Sequence, residues 1–336
     1  MKTQLIACLL VLFFASSCKN DRKQQLPEDE PKTVTIPPFD KDSAFAFVKH
    51  QVGFGPRVPG SEAHRQCGDW LVAQLKSHGA TVTEQRFPAK FYTGGAYEGR
   101  NIIGAFNPEH KNRILLAAHW DTRFIADEDP DAARRKDPIL GADDGGSGVG
   151  VLLEVARQIA AHPLDLGVDI LFLDAEDQGD NDDEKGDAII NTWCMGAQYW
   201  AKNPHVQGYR ANYGILLDMV GAHGARFTKE AVSRTFANRT LDKVWALAAN
   251  LGYGNYFVDV NTSGITDDHY FINEIAKIPM IDIINRPENE RFGKHWHTHG
   301  DDMSVIDPNT LKAVGKVVQN VIYKQSLGGD IVRLKE

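Results

Sequence analysis

Four short apolar runs punctuate the middle and end of the chain: ILLAAH (114–119), VDILFLD (168–174), YGILLDM (213–219) and IPMIDII (278–284). Stretches with helical spacing separate them, at 149–161, 241–251 and 311–323. Runs that are apolar on both faces and alternate with helices predict strands of a parallel sheet covered on both sides. Upstream, 43–52 and 62–78 read as helices, the second carrying Trp70, Leu71 and Leu75 and stopping at Gly79. Segments 81–87 and 100–106 are β-rich. With no internal repeat and no second linker, the expected fold is one α/β domain: a three-layer α/β/α sandwich with a mixed, mostly parallel central sheet.

The first residues follow a different pattern. MKTQLIACLLVLFFASSC has an early Lys, an apolar run and small residues before Cys18. It reads as a secretory signal too short to span a bilayer. Its Ala-Ser-Ser-Cys ending resembles a bacterial lipobox, so residues 1–17 are expected to be a signal peptide and Cys18 the lipidated first residue of the mature chain. Residues 19–38 are polar, charged and Pro-rich and cannot bury a core. The expected organisation is therefore a lipidated tether at 18–39 and a single catalytic domain at 40–336. That domain would be monomeric and held at a membrane on the periplasmic side. Lys19 is not the Asp of inner-membrane retention, which favours the outer membrane. Among the mature cysteines besides Cys18, Cys67 and Cys194 remain, their pairing open.

Composition narrows the chemistry. The net charge is -8 and no Lys/Arg cluster offers itself to phosphates, which argues against nucleic acid. Half of the aspartates lie between Asp121 and Asp187. Aspartate favours loops, caps and metal sites over helices, so acid-lined loops are expected. The positions of those acids matter more than their number. ILLAAH ends in His119, with Asp121 following; VDILFLD is followed by Glu176 and Asp177; YGILLDM carries Asp218. Ligand sites of open α/β sheets lie beyond the carboxyl ends of the strands, so these groups should share one crevice. GADDGGSG (141–148) adds Asp143 and Asp144, and HWHTHGDD (295–302) adds three alternating histidines. Singly, an Asp before a helix is a cap and a His beside Trp is a packed side chain. Together, His, Asp and Glu from five segments make the N/O donor set that zinc prefers.

The order of these motifs resembles the zinc aminopeptidases and their relatives, the glutaminyl-peptide cyclotransferases, from about Asp40 to the C-terminus and including QVGFGPRVPGS (51–61). The resemblance implies that His119, Asp144, Asp177, Asp218 and His297 match the ligands of two-zinc peptidases. Glu176 matches their general acid/base, and Asp121 the acid that orients His119. In the cyclases one zinc per chain would be held by Asp144, Asp177 and His297. Trp296, in WHTHGDD, and Trp193 match the walls of the cyclase pocket, and Asp267, in Asp-Asp-His (267–269), a hydrogen-bonding acid. Asp177 stands where animal cyclases carry Glu, and Asp282 where they carry His. The expected reaction converts N-terminal glutamine of peptides or proteins to pyroglutamate with release of ammonia, with Asp218 and Asp267 sharing a proton. The alternative is a secreted two-zinc aminopeptidase using His119 and Asp218 on the second ion.

Other features are given plainer readings. DQGDNDDEKGD (177–187) has its Gly186 one position late for an EF-hand and is expected to be a solvated acidic loop. His295 and His299 have no family counterpart, so His297 alone should ligate. His223 and His269 could reach the pocket rim or serve structural roles, and 126–138, which has no catalytic pattern, reads as a solvated loop bordering the site.

Overall fold

A computed structural model describes residues 36–180 and 192–328. After α1 (Lys41–Gly53) and α2 (Glu62–Ser77), the chain forms β1 (Thr81–Lys90), β2 (Ala96–Phe106) and β3 (Arg113–His119). Then come α3 (Gly146–Ala161), β4 (Gly167–Leu173), α4 (Met195–Lys202), β5 (Tyr213–Asp218) and β6 (Phe227–Lys229). The last elements are α5 (Ala231–Asn250), β7 (Phe257–Asn261), the short α6 (Asp268–Phe271), β8 (Met280–Ile284) and α7 (Pro308–Ser326).

Six strands form one sheet in the order β1-β2-β4-β3-β5-β8. β4, β3, β5 and β8 run parallel, whereas β1 and β2 pair antiparallel at one end. The sheet is thus mixed and mostly parallel, as the both-faced apolar runs imply. Alternation along β3 shows why those runs have no polar side: Ile114, Leu116 and Ala118 join one core, Leu115 and Ala117 the other. The first core is closed by side chains of α1, α2, α3, α5 and α7; the second by α4, α6 and the turn after α6, through Trp200, Phe271 and Ile272.

Some elements escaped the periodicity. The β6–β7 pair and α6 are short, and α4 follows residues 181–191, which lie outside the described residues with most of the acidic run. α5 begins ten residues before the expected start and carries a kink at Ala237 (φ -139°). Its N-terminal half lacks a long apolar stripe but is capped by the Glu230 carboxylate, which accepts the N–H groups of Val232 and Ser233. Packing also begins before Asp40: Phe39 is 4% exposed, its ring against Gly315 of α7. Residues 1–35, including Cys18, lie outside the described residues. None of the described helices is long and apolar enough to cross a membrane.

Candidate active site

Parallel strands deliver their carboxyl ends to one edge. His119 is the last residue of β3 and Asp218 the last of β5; Glu176 and Asp177 follow β4 by two turn residues. The chain turns sharply there. Ala175 (φ 56°), Met219 (φ 48°) and His297 (φ 53°) occupy the left-handed region, each costing of order 1 kcal/mol for a side-chain-bearing residue. The start of α4 holds the first of these turns: N–H groups of Cys194, Met195 and Gly196 donate to the carbonyls of Glu176, Ala175 and Asp174 at 2.9–3.0 Å. Gly196 is required at that approach, since a Cβ there would stand 2.3 Å from the Asp174 carbonyl oxygen.

The proposed metal ligands converge. His297 Nε2 lies 3.0 Å from Asp177 Oδ1 and 3.7 Å from Asp144 Oδ2, and one donor atom from each of the three fits within 4.8 Å. His119, Asp144 and Asp218 form a second such group, with His119 Nε2 at 3.0 Å from Asp144 Oδ1 and 3.1 Å from Asp218 Oδ1. Both sets are buried, and Asp177 Oδ2 has no hydrogen-bond partner. A buried carboxylate oxygen without a partner costs free energy that a cation would recover, and the donors are those zinc takes. The residues present therefore fit the ion. Behind His119, the Asp121 carboxyl stands 3.6 Å from Nδ1 and accepts the backbone N–H groups of Glu176 (3.1 Å) and Asp177 (3.2 Å).

Glu176 faces the same space. Burial raises its carboxyl well above the usual range; Asp267, Asp177 and Asp268 add repulsion, opposed by His119. The Cys194 thiol donates to its Oε1 at 3.3 Å. Burial likewise pushes Asp218 up, to about 8, against the pull of His119.

A pocket of about 630 Å³ opens over these groups, lined among others by Glu176, Asp218, Asp267, Trp193, Trp296 and His297. Trp296 stacks on His297 at 3.8 Å between ring centroids, and the Trp193 ring lies nearly parallel to the same imidazole at 6.1 Å. Asp267 caps α6 through one oxygen, while its buried Oδ2 has no hydrogen-bond partner. Asp267 groups both with Glu176 and Cys194 and with His269 and Asp282, while Asp218 makes its short contact with His119 and is raised chiefly by burial, with the Asp267 charge adding to it.

The remaining acids and histidines near the site have structural partners of their own. Neither Asp143 nor Asp144 caps α3, whose N-cap is Gly145 with no side-chain bond. Asp143 instead accepts the N–H of Gly221 and pairs with His295 at 2.9 Å. The 126–138 segment borders the site as expected, exposed over 131–138. Asp127 lies 3.2 Å from His297 Nδ1, and Asp129 pairs with His299 at 2.7 Å, so its first part clasps the histidine segment. His223 sits exposed near Asp307, and His269 is buried 3.2 Å from Glu230; neither lines the pocket. Cys67 and Cys194 are both free and buried.

Buried arginines went unread, because a single Arg carries no periodic or motif signal. Arg57, inside the QVGFGPRVPGS segment, donates to the carbonyls of Trp120, Leu140 and Gly141 and so braces the loop bearing Asp144. Asp301 accepts the N–H groups of Asp143 and Asp144 at 2.8 and 3.0 Å, tying that loop to the histidine segment.

The fold and this donor set define a metalloenzyme of the zinc-exopeptidase type. The model of peptidase family M28 matches residues 101–322, and the chain belongs to that family. It is 51% identical to a glutaminyl cyclase of Bacteroides thetaiotaomicron solved with N-acetylhistamine bound (TM-score 0.83, covering 86% of this chain and 99% of that one). It is equally 51% identical to a structure described as a leucine aminopeptidase precursor of the same organism (TM-score 0.82, covering 87% and 99%). Glutaminyl-peptide cyclotransferase of Drosophila melanogaster is 26% identical over 298 residues, 82% of this chain and 78% of that protein. Family and donor set agree on zinc as the metal.

Proposed function

We propose that the protein is a glutaminyl-peptide cyclotransferase, closing N-terminal glutamine of peptides or proteins to pyroglutamate with release of ammonia. The observation that carries this reading is the aromatic frame: Trp193 and Trp296 both lie near-parallel to His297 and line one pocket with the carboxyls. Flat rigid walls suit a substrate that must fold its own side chain back on its amine. Relatives named for this activity at half identity support it.

In this reading Asp144, Asp177 and His297 hold one zinc ion, which when bound supplies Lewis-acid polarisation of the γ-carbonyl. The walls hold the bent conformer, and because nucleophile and electrophile belong to one molecule, orientation alone is worth several kcal/mol. The bond from the α-nitrogen to the amide carbon forms as the bond to the amide nitrogen breaks. Glu176 takes the proton from the attacking amine and hands it to the departing nitrogen, which leaves as ammonia. A carboxyl raised by burial suits both directions of that transfer. Asp267, with an unpartnered oxygen at the pocket, accepts a hydrogen bond from the leaving amide. Asp121 holds the backbone carrying Glu176 and places its charge behind His119, and Asp218 stays with His119.

The second reading is a two-zinc aminopeptidase, favoured specifically by the His119, Asp144 and Asp218 group. Zinc content and turnover separate the two. One zinc per chain with ammonia release from Gln-peptides supports the cyclase; two zinc ions with cleavage of Leu-anilide and no ammonia release overturn it.

The sequence alone supports the cellular setting: residues 1–17 as signal peptide, Cys18 as a lipidated anchor of a tether to 39, and a catalytic domain from 40 to 336 on the periplasmic side, with Lys19 favouring the outer membrane. Partition of the mature protein into detergent, lost in Cys18→Ser, tests the anchor.

A further inference from the structure

The geometry points to Arg123 as a positioning residue that couples zinc ligation to the substrate wall, an inference that rests on the cyclase reading for the identity of the substrate. Arg123 is fully buried, and all three guanidinium nitrogens donate hydrogen bonds while one face meets an aromatic ring. Nε and one terminal nitrogen make the two bonds of a fork to Asp127, at 2.8 and 2.6 Å. The other terminal nitrogen donates to the carbonyls of Asp177 and Gly179, at 3.1 and 3.2 Å. The guanidinium carbon lies 4.6 Å from the centroid of the Trp193 ring.

Those contacts reach three separate parts of the site. Asp127, held by the fork, stands 3.2 Å from His297 Nδ1. A carboxylate on the far nitrogen fixes the ring's orientation and leaves Nε2 to the metal, a contact whose loss costs roughly 10- to 100-fold in metal affinity. The carbonyl contacts pin the backbone of Asp177, the second proposed ligand, where its chain departs for the residues after Gly179. The cation over its ring, together with the bond from its Nε1 to the Asp180 carbonyl at 3.1 Å, holds the plane of Trp193, which is within 9° of the His297 plane. A planar cation does all three at once, because its edge donates hydrogen bonds while its face meets an aromatic ring. Lysine keeps the charge and loses both the fork and the face.

Two measurements on R123K and D127N test this, with the full mature chain. Zinc affinity by competition with a chromophoric chelator needs no substrate. The wall is read by KM for a Gln-peptide at saturating zinc, and by the emission difference between each variant and its W193F derivative, which also needs no turnover. R123K is expected to weaken zinc by about 10-fold or more, to raise KM, and to alter the Trp193 emission. D127N should do the same in zinc affinity, and the double variant should be no worse than the poorer single one, because both act through one unit. W193F alone should leave zinc affinity unchanged. Zinc affinity or Trp193 emission at the wild-type value in R123K overturns the coupling, as does full additivity. If R123K fails to fold by circular dichroism, wild-type zinc affinity in D127N overturns it instead. Absence of ammonia release by the wild type would sink the cyclase reading while the chelator and emission measurements still decide this one.

Discussion

The Asp121 carboxyl accepts the backbone N–H of Glu176 at 3.1 Å, so the acid behind one histidine of the site also holds the main chain of the proposed proton carrier. The same carboxyl takes the N–H of Asp177 and the side-chain amide of Gln178. One buried side chain thus sets the position of the whole acidic pair. Asp121→Asn keeps the size but places donors where acceptors are needed. We expect kcat to fall by about 10- to 100-fold, with a smaller change in thermal midpoint. Steady-state kinetics beside a melting curve checks this; unaltered kcat would mean the backbone of Glu176 is held without Asp121.

Glu176→Gln removes the proton carrier while leaving its shape. The expected loss in kcat is about 10²- to 10⁴-fold, with zinc content unchanged, because Glu176 is not among the Asp144, Asp177 and His297 donors. Metal analysis and ammonia release on the same sample check it. Loss of zinc in this variant would place Glu176 on the metal.

Acid stability should depend on Glu230. Burial alone would raise its carboxyl, but His269 and the Ser233 contacts outweigh burial and bring it from the usual 4.5 down to about 2. A carboxyl depressed by folding stabilises the native state above its unfolded value and loses that contribution as pH falls from about 4.5 towards 2. The contribution at neutral pH is on the order of 3 kcal/mol. Glu230→Gln should therefore be less stable at pH 6 and approach the wild type near pH 3. Urea midpoints across that range decide: a constant difference between the two proteins would refute the assignment.

Gly148 marks the closest approach of α3 to the sheet. A Cβ there would meet the Leu217 carbonyl oxygen at 2.4 Å and the Ala118 side chain at 3.0 Å. Gly148→Ala must push the helix off β5 or strain both, at about 1–3 kcal/mol. A melting curve should show a midpoint lower by several degrees; a wild-type midpoint would show that the helix moves without cost.

The strands of the sheet were the most legible part of the fold. β3, β4, β5 and β8 are buried along their full length, so nearly every position is apolar and the runs stand out without regard to partner. α6 and β6 could not be read that way, having four and three residues, and β7, as long as β8, buries only its first two positions and so shows no apolar run. In the site, the metal donors were legible because strand ends carry them into one crevice whatever the loops do. Asp127 was not, since it sits in a mixed-charge stretch whose neighbours 131–137 are exposed, and only its place against His297 distinguishes it.

Which acids would face one another was settled by packing across the sheet edge. The chain brings Asp218 to His119, and it groups Asp267 both with Glu176 and Cys194 and with His269 and Asp282. The residue types, their order and the strand ends are properties of local pattern and were determined before any folding was known. The pairing of Arg123 with Asp127 and Trp193, of Asp301 with the 143–144 backbone, and of Asp121 with Glu176 was decided only in three dimensions. Buried polar groups must find partners wherever the packed elements place them, and no period along the chain encodes that choice.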